Sequence, residues 1–308
     1  MNIIITGCLG HIGSYIISKL SKINNLNKVY LLDNNTQNKL NTLFNIKTKK
    51  KIIYIDEDLS EARKLFKIKD IDVIIHLAST TNAEASLNNS KSYFNNNIGC
   101  FKNILKYCKK NKSKLIHISS TSVYGDQSDL VNEKSKKLKP QSPYAKIKLI
   151  EEKMLRSEKN LKFITLRFGT IAGFSNGMRY HTAVNKFCYQ TIMKKDITVW
   201  KTAMNQFRPY LSIHDAFKSI NFIIKKNLFI NQIFNVLSEN LTVNDILKVI
   251  KINGYKIKIK KVNSKIMNQL SYKVDKRKFE KLGIKLNYKI KNDIKDTLKS
   301  LSSIKNAK

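Results

Sequence analysis

No apolar run in this chain approaches the length that crosses a bilayer; pieces such as residues 220–224 are the size of a strand or a turn of helix. Residues 1–6 form a short apolar run that meets a glycine at once, without the basic start, longer apolar stretch and cleavage site of a secretory signal. No membrane partner and a cytoplasmic location are therefore expected. Cysteine is sparse. Cys8, Cys100, Cys108 and Cys188 form no CxxC pair, and none has a histidine at metal-ligand spacing, so buried reduced thiols and no metal are expected. Negative charge is short as well: 22 Asp and Glu stand against 58 Lys and Arg, a net charge of +36. Nucleic-acid binding would use such a charge. However, Lys, Asn and Ile are abundant on strands and turns alike, which fits the compositional bias of an AT-rich genome better than a local basic patch. Nucleic acid is accordingly the less favoured partner.

What is present is a rhythm. Short β-branched runs at residues 2–6, 28–32, 51–55, 73–77, 115–119 and 163–168 alternate with amphipathic stretches, beginning with a helix over 12–20. Strands apolar on both faces and separated by helices imply a parallel sheet covered on both sides, the doubly wound α/β class. After Phe168 the rhythm loosens, and residues 169–185 show no clear periodicity. Later pieces are a strand at 197–200, a helix at 213–226, a strand at 232–237 and a helix at 244–252 with Thr242 as its cap. The end after Lys305 reads as frayed. The 308 residues, 42% hydrophobic, suffice for two lobes sharing a cleft.

Thr6-Gly7-Cys8-Leu9-Gly10-His11-Ile12-Gly13 follows the first strand and opens the first helix. Gly7 suits a tight turn, Gly10 a close approach of backbone to a pyrophosphate, and Gly13 close packing of helix on sheet. The helix N-terminus then offers free N–H groups to phosphates. Asp33 ends the second strand, where a carboxylate accepts hydrogen bonds from an adenosine ribose and repels a 2′-phosphate. NAD is thus favoured over NADP, although Lys28 and Lys39 would soften the choice; Asp33 otherwise reads as a turn cap.

Tyr144 and Lys148 share a helix face in Tyr-x-x-x-Lys. An ammonium there stabilises a phenolate, which lets a phenol serve as acid or base. Upstream lies Ser119-Ser120-Thr121-Ser122-Val123-Tyr124-Gly125 at a strand end, and Ser142-Pro143 precedes Tyr144. A glycine-rich TGxxGxxG, a hydroxyl-rich segment ending in VYG, and SPYxxxK occur in that order. In these motifs the chain resembles the extended short-chain dehydrogenase/reductases, of the NAD-dependent nucleotide-sugar epimerase/dehydratase type. The resemblance implies a Rossmann-type NAD-binding domain over 1–168, with return segments near 205–237, and a smaller substrate-binding lobe mainly over 169–308.

It also implies roles. Tyr144 is the acid/base, Lys148 its electrostatic partner and a holder of the nicotinamide ribose, and Ser120, chosen over Ser119, the hydrogen-bond partner of the substrate hydroxyl. Gly7, Gly10, His11, Ile12, Gly13 and Asp33 would meet the cofactor. So would Asp58 and Leu59 in a segment similar to the adenine-contacting turn, Leu77, Ala78 and Ser79 in one similar to HLAA, and Asn97 in one similar to NVxGTxNLL. In that last segment Cys100 stands where the family has glycine. On the substrate side it implies Ser122, Thr170, Asn185 and Arg208. Arg208 opens Arg208-Pro209-Tyr210-Leu211, similar to a diphosphate-binding segment, and Arg suits phosphate geometry; it otherwise reads as a surface charge. The segment 166–170 resembles one that enters the substrate cleft. No second phosphate arginine is found across 263–272.

The class of reaction follows from what surrounds Ser120. The 4,6-dehydratases carry an Asp-Glu pair after the active-site threonine, whereas Thr121 and Ser122 follow here. The cysteine of 3,5-epimerising enzymes is missing from this stretch. His181 is a second acid/base candidate or simply a structural histidine. The resemblance therefore implies an NAD-dependent 4-epimerase acting on a UDP-glucose/galactose-like nucleotide-diphosphate sugar. The alternatives are a net sugar-nucleotide dehydrogenase or reductase, and a non-catalytic NAD-binding regulatory protein. A homodimer is implied by family analogy alone.

Overall fold

The computed structural model describes residues 1–308 except 45, 84, 264–270 and 304–308. The expected frayed end, and most of the stretch searched for a second phosphate arginine, lie outside the described residues.

The first half runs β1 (Asn2–Thr6), α1 (His11–Ser18), β2 (Lys28–Asp33), β3 (Lys51–Asp56), β4 (Val73–His76), α2 (Ala85–Asn88), α3 (Ser90–Asn111), β5 (Lys114–Ser120), β6 (Leu130–Val131), α4 (Pro143–Ser157) and β7 (Phe163–Phe168). The second half runs β8 (Thr170–Ala172), α5 (Ala183–Ile192), β9 (Ile197–Trp200), β10 (Arg208–Ser212), α6 (Ile213–Lys226), β11 (Gln232–Val236), β12 (Glu239–Leu241), α7 (Val243–Ile252), β13 (Ile259–Val262), β14 (Lys273–Val274), α8 (Arg277–Glu280) and α9 (Ile290–Ser302).

Seven strands form one parallel sheet in the order β11-β7-β5-β4-β1-β2-β3. β4 and β7 are buried along their whole length, as strands covered on both faces must be. Alternate residues of β1 serve opposite layers. Ile3 and Ile5 pack with Ile16 of α1 and Ile220 of α6, while Ile4 packs with Phe101 of α3 and Leu155 of α4. The chain leaves β1 toward β2 on one side and reaches β4 on the other, so a crevice opens at the carboxyl ends between them.

The smaller lobe joins the three-stranded sheet β12-β10-β8 and the pair β13-β9 to α5, α7 and α9 around Phe187, Val199, Ile246 and Leu298. Residues 169–185, read as aperiodic, contain β8 and the start of α5. β8 owes its regularity to its partner β10 (Thr170 opposite Tyr210), not to a local pattern. Of the return segments near 205–237, α6 and β11 rejoin the main layers, whereas β10 belongs to the small sheet. α1 stops at Ser18, and a separate tight turn covers Leu20–Lys22.

Two caps place the site. The Ser142 hydroxyl accepts from the Ala145 N–H at 3.1 Å and Pro143 starts α4, which sets Tyr144 in its first turn and Lys148 one turn later. Thr242 and Asp245 cap α7 reciprocally.

Candidate active site

The carboxyl ends of β1, β2, β4, β5 and β7 open into a cavity of about 1500 Å³ whose opposite wall comes from the small lobe. Gly7 sits at φ +63° with no room for a side chain: a Cβ would lie 2.6 Å from the Ala78 nitrogen. At Gly13 a Cβ would lie 2.5 Å from the Gly7 oxygen, so α1 and the loop touch backbone to backbone. Gly10 caps α1, whose first turn carries no acid, and Ile12 lines the wall beside it. The free N–H groups and positive end of α1 therefore suit a diphosphate.

Asp33 accepts from the N–H groups of Leu9 and Asn35, both at 3.0 Å, and burial raises its carboxyl above the usual value. Asp58 accepts from the Ser60 N–H and hydroxyl at 2.8 and 2.7 Å, with Leu59 buried beside it. The N–H groups of Leu77 and Ala78 both donate to Thr6 Oγ1 at 3.1 Å. Ser79 Oγ is buried and, among the described residues, has no hydrogen-bond partner. A glycine cradle without space for Cβ atoms, a carboxylate at the end of β2 and an orphaned hydroxyl fit a dinucleotide. Lys28 opens the strand that Asp33 ends, about 16 Å away at strand rise, so it lies far from the Asp33 carboxylate. Lys39 is nearer, but its ammonium donates to the carbonyls of Gly177 and Met178 at 3.2 and 3.3 Å.

The side chains of three residues expected at the site turn away from the cavity. Asn97 lies behind the wall, 1% exposed. Its oxygen accepts the Thr80 N–H at 2.8 Å and its amide donates back to the Thr80 carbonyl at 3.0 Å, so it shapes the loop after β4 from inside. Asn185 is fully buried; it accepts from Gly173 N–H at 3.2 Å and donates to the Arg179 carbonyl at 3.1 Å, which holds the segment between them. Although His11 borders the cavity, its ring is turned to the small lobe. It is 2% exposed, with Nε2 at 2.8 Å from the Gly173 carbonyl, and burial, aided by Arg179, pushes it down to about 3. Within 166–170 only Phe168, Gly169 and Thr170 reach the cavity. Arg167 is buried, gripping Glu152 through Nε and an η nitrogen at 2.8 and 2.7 Å.

Ser120 and Ser119 end β5 with different partners. Ser119 donates to Glu152 at 2.6 Å in the interior. Ser120 lines the cavity and accepts from the Ser122 N–H and hydroxyl at 3.2 and 2.9 Å, which leaves its own O–H free to donate to a substrate oxygen. Ser122 lines the cavity too, with its proton committed to Ser120. Tyr144 lines the wall, and the Lys148 ammonium lies 6.0 Å from its ring centre. Burial alone would lower the lysine; Glu151 and Tyr144 outweigh it and hold Lys148 above its usual value. Thr170 and Arg208 complete the far wall, with the Arg208 guanidinium 5.9 Å over the Tyr272 ring.

Arg179, which the sequence reading passed over, also lines the cavity and makes no ion pair among the described residues. Burial lowers it, and Tyr144 is the group that favours its charge. It lies in the aperiodic stretch of a Lys-rich chain, where no pattern marks it.

A doubly wound sheet with a glycine cradle at its strand ends, and with Ser120, Tyr144 and Lys148 lining one cavity, is the architecture of the extended short-chain dehydrogenase/reductases. Residues 3–236 match the model of the NAD dependent epimerase/dehydratase family, and the chain belongs to that family. It is 29% identical over 245 residues to an uncharacterized UDP-glucose epimerase, YtcB, of Bacillus subtilis, which covers 77% of this chain and 76% of that protein. It is 30% identical to a dTDP-D-glucose 4,6-dehydratase of Dictyostelium discoideum, over 76% of this chain and 57% of that one. In structure it is similar to UDP-N-acetylglucosamine 4-epimerase from Methanobrevibacter ruminantium M1, with a TM-score of 0.85, 26% identity and 98% of each chain covered. The cofactor of this family is NAD.

Proposed function

We propose that the protein is an NAD-dependent nucleotide-sugar 4-epimerase whose substrate is UDP-glucose/galactose-like. One observation carries this reading over dehydration: the positions after Ser120 hold hydroxyls with other duties. Thr121 donates to the Phe168 carbonyl at 3.3 Å and Ser122 to Ser120. Among the described residues the carboxylates lining the cavity are Asp33, which ends β2, and Glu57 and Asp58, which follow β3, all away from β5. Water elimination lacks the acidic pair at these positions, and His181, which also lines the cavity, is pushed down to about 4 by burial and is a neutral imidazole, not an acid, near pH 7.

In this reading Ser120 donates to the sugar 4-hydroxyl, and Tyr144 removes and later returns its proton while Lys148 stabilises the phenolate. Bound NAD supplies the hydride acceptor and donor at C4. Arg208 holds the diphosphate, and Arg179 offers a second cation on the substrate side. The smaller lobe is the substrate lobe, and residues 1–168 with the α6–β11 return are the NAD lobe.

The test is incubation with NAD and a panel of UDP-hexoses, with separation of isomers and continuous reading of NADH absorbance. A mass-neutral isomer without NADH accumulation is expected. A product lighter by one water, or NADH formed in step with product, contradicts the proposal.

A further inference from the structure

Lys148 has a second partner that the scheme above does not use. Its ammonium donates to Glu151 Oε2 at 2.8 Å, and His117 Nε2 lies 2.9 Å from the same oxygen. His117 Nδ1 in turn lies 3.3 Å from Thr165 Oγ1, on the neighbouring strand and directly opposite in register. The three side chains are sealed: Lys148 is 3% exposed, Glu151 1% and His117 0%. A carboxylate only accepts, so His117 carries its proton on Nε2 and accepts the Thr165 hydroxyl at Nδ1. Burial holds His117 below its usual value, in the neutral form. Burial would raise Glu151, but Lys148 and His117 outweigh it and pull it down to about 2.

The surroundings leave this carboxylate as the balancing charge. His76 on β4 is pushed by burial to about 3 and is neutral. Cys100 on α3 is pushed by burial up to about 12 and is a thiol. Glu152, next on α4, is spent on Arg167 and Ser119. Tyr144, the remaining titratable neighbour on α4, faces the lysine from the cavity side. A buried ammonium without an anion loses its proton well below the ordinary lysine range. Glu151 takes one of the three ammonium hydrogens, and Lys148 keeps the others for the cavity it lines.

We propose that Glu151, held by His117, is a positioning residue for the acid–base group: it keeps Lys148 charged in a dry site and fixes its direction, and thereby sets the alkaline limit of cofactor binding and turnover. The proposal rests on Tyr144 and Lys148 acting as read above, so its main readout is one that does not require the reaction.

The experiment is calorimetric titration of NAD into the full-length protein from about pH 7 to 10, below and into the ordinary lysine range, for the unmodified chain, Glu151→Gln and Glu151→Asp. The unmodified protein is expected to hold its affinity to the alkaline end. Glu151→Gln is expected to lose affinity at least about one pH unit earlier, and Glu151→Asp to fall between. Superimposable profiles for Glu151→Gln and the unmodified protein overturn the proposal. Should Glu151→Gln not fold, His117→Phe keeps the ion pair but removes its support: an earlier loss upholds the proposal and an unshifted profile overturns it. Turnover of Tyr144→Phe, read in parallel, separates the two ideas, since undiminished turnover there defeats the acid–base reading while leaving the NAD titration to judge Glu151.

Discussion

The imidazole of His11, the residue that opens α1, donates through Nε2 to the carbonyl of Gly173 in the small lobe at 2.8 Å. Ser175 reinforces the junction by donating to the His11 carbonyl at 2.8 Å, and the Gly177 N–H donates to Ser14 Oγ at 2.9 Å. The cofactor loop and the substrate-side wall are thus one hydrogen-bonded unit. His11→Ala leaves a buried carbonyl without its donor, which costs about 1–3 kcal/mol. A lower thermal midpoint and weaker NAD binding are expected.

The same ring gives a pH dependence. The folded imidazole titrates at about 3 and the unfolded one near the ordinary value of about 6.5. Between these the unfolded chain binds the extra proton, so stability is present above about pH 6.5 and lost as pH falls toward 3. Denaturant melts across this window should show a shallower acid loss in His11→Gln than in the unmodified protein.

Asp293 on α9 gives the opposite slope. It is 1% exposed; Oδ1 accepts from Ser212 at 3.0 Å, and Oδ2 has no partner among the described residues. Burial, with Asp215, Asp296 and Glu239 adding to it, pushes the carboxyl up to about 8. Above the unfolded value of about 3.9 the unfolded chain releases the proton that the folded chain keeps, so stability declines from there until pH passes 8. Asp293→Asn should raise the melting temperature at alkaline pH and leave it nearly unchanged near pH 4. An equal change at both ends would remove Asp293 as the cause.

Arg208 sits on the far wall, away from the glycine loop. Arg208→Ala should raise KM for the nucleotide sugar by the equivalent of about 1.5–3 kcal/mol, the range for a hydrogen bond to a charged group, with NAD affinity unchanged. Loss of NAD affinity instead would move Arg208 to the cofactor side.

The sheet was legible because a strand buried on both faces writes its burial into consecutive residues, as Ile3, Ile4 and Ile5 do. The glycine loop was legible because Gly7 and Gly13 have backbone where a Cβ would be. In the small lobe β9 and the capped α7 were legible, but β8 was not, since it is ordered by β10, a partner far along the chain. The amides of Asn97 and Asn185 shape loops from behind the wall, a direction that residue type alone does not reveal. Glu151 and His117, 34 residues apart, meet only through the packing of α4 on β5. Arg179 had no pattern to announce it.

Tyr144 is the proposed acid–base residue of an NAD-dependent reaction on a nucleotide sugar. Tyr144→Phe keeps the ring on the first turn of α4 and deletes the ionisable oxygen. Single-turnover reduction of bound NAD by an active nucleotide sugar measures its role most directly. A rate lower by about 10²–10⁴-fold, the usual contribution of general acid–base catalysis, is expected, with NAD affinity retained. A Tyr144→Phe protein that reduces its cofactor as fast as the unmodified chain would contradict that role.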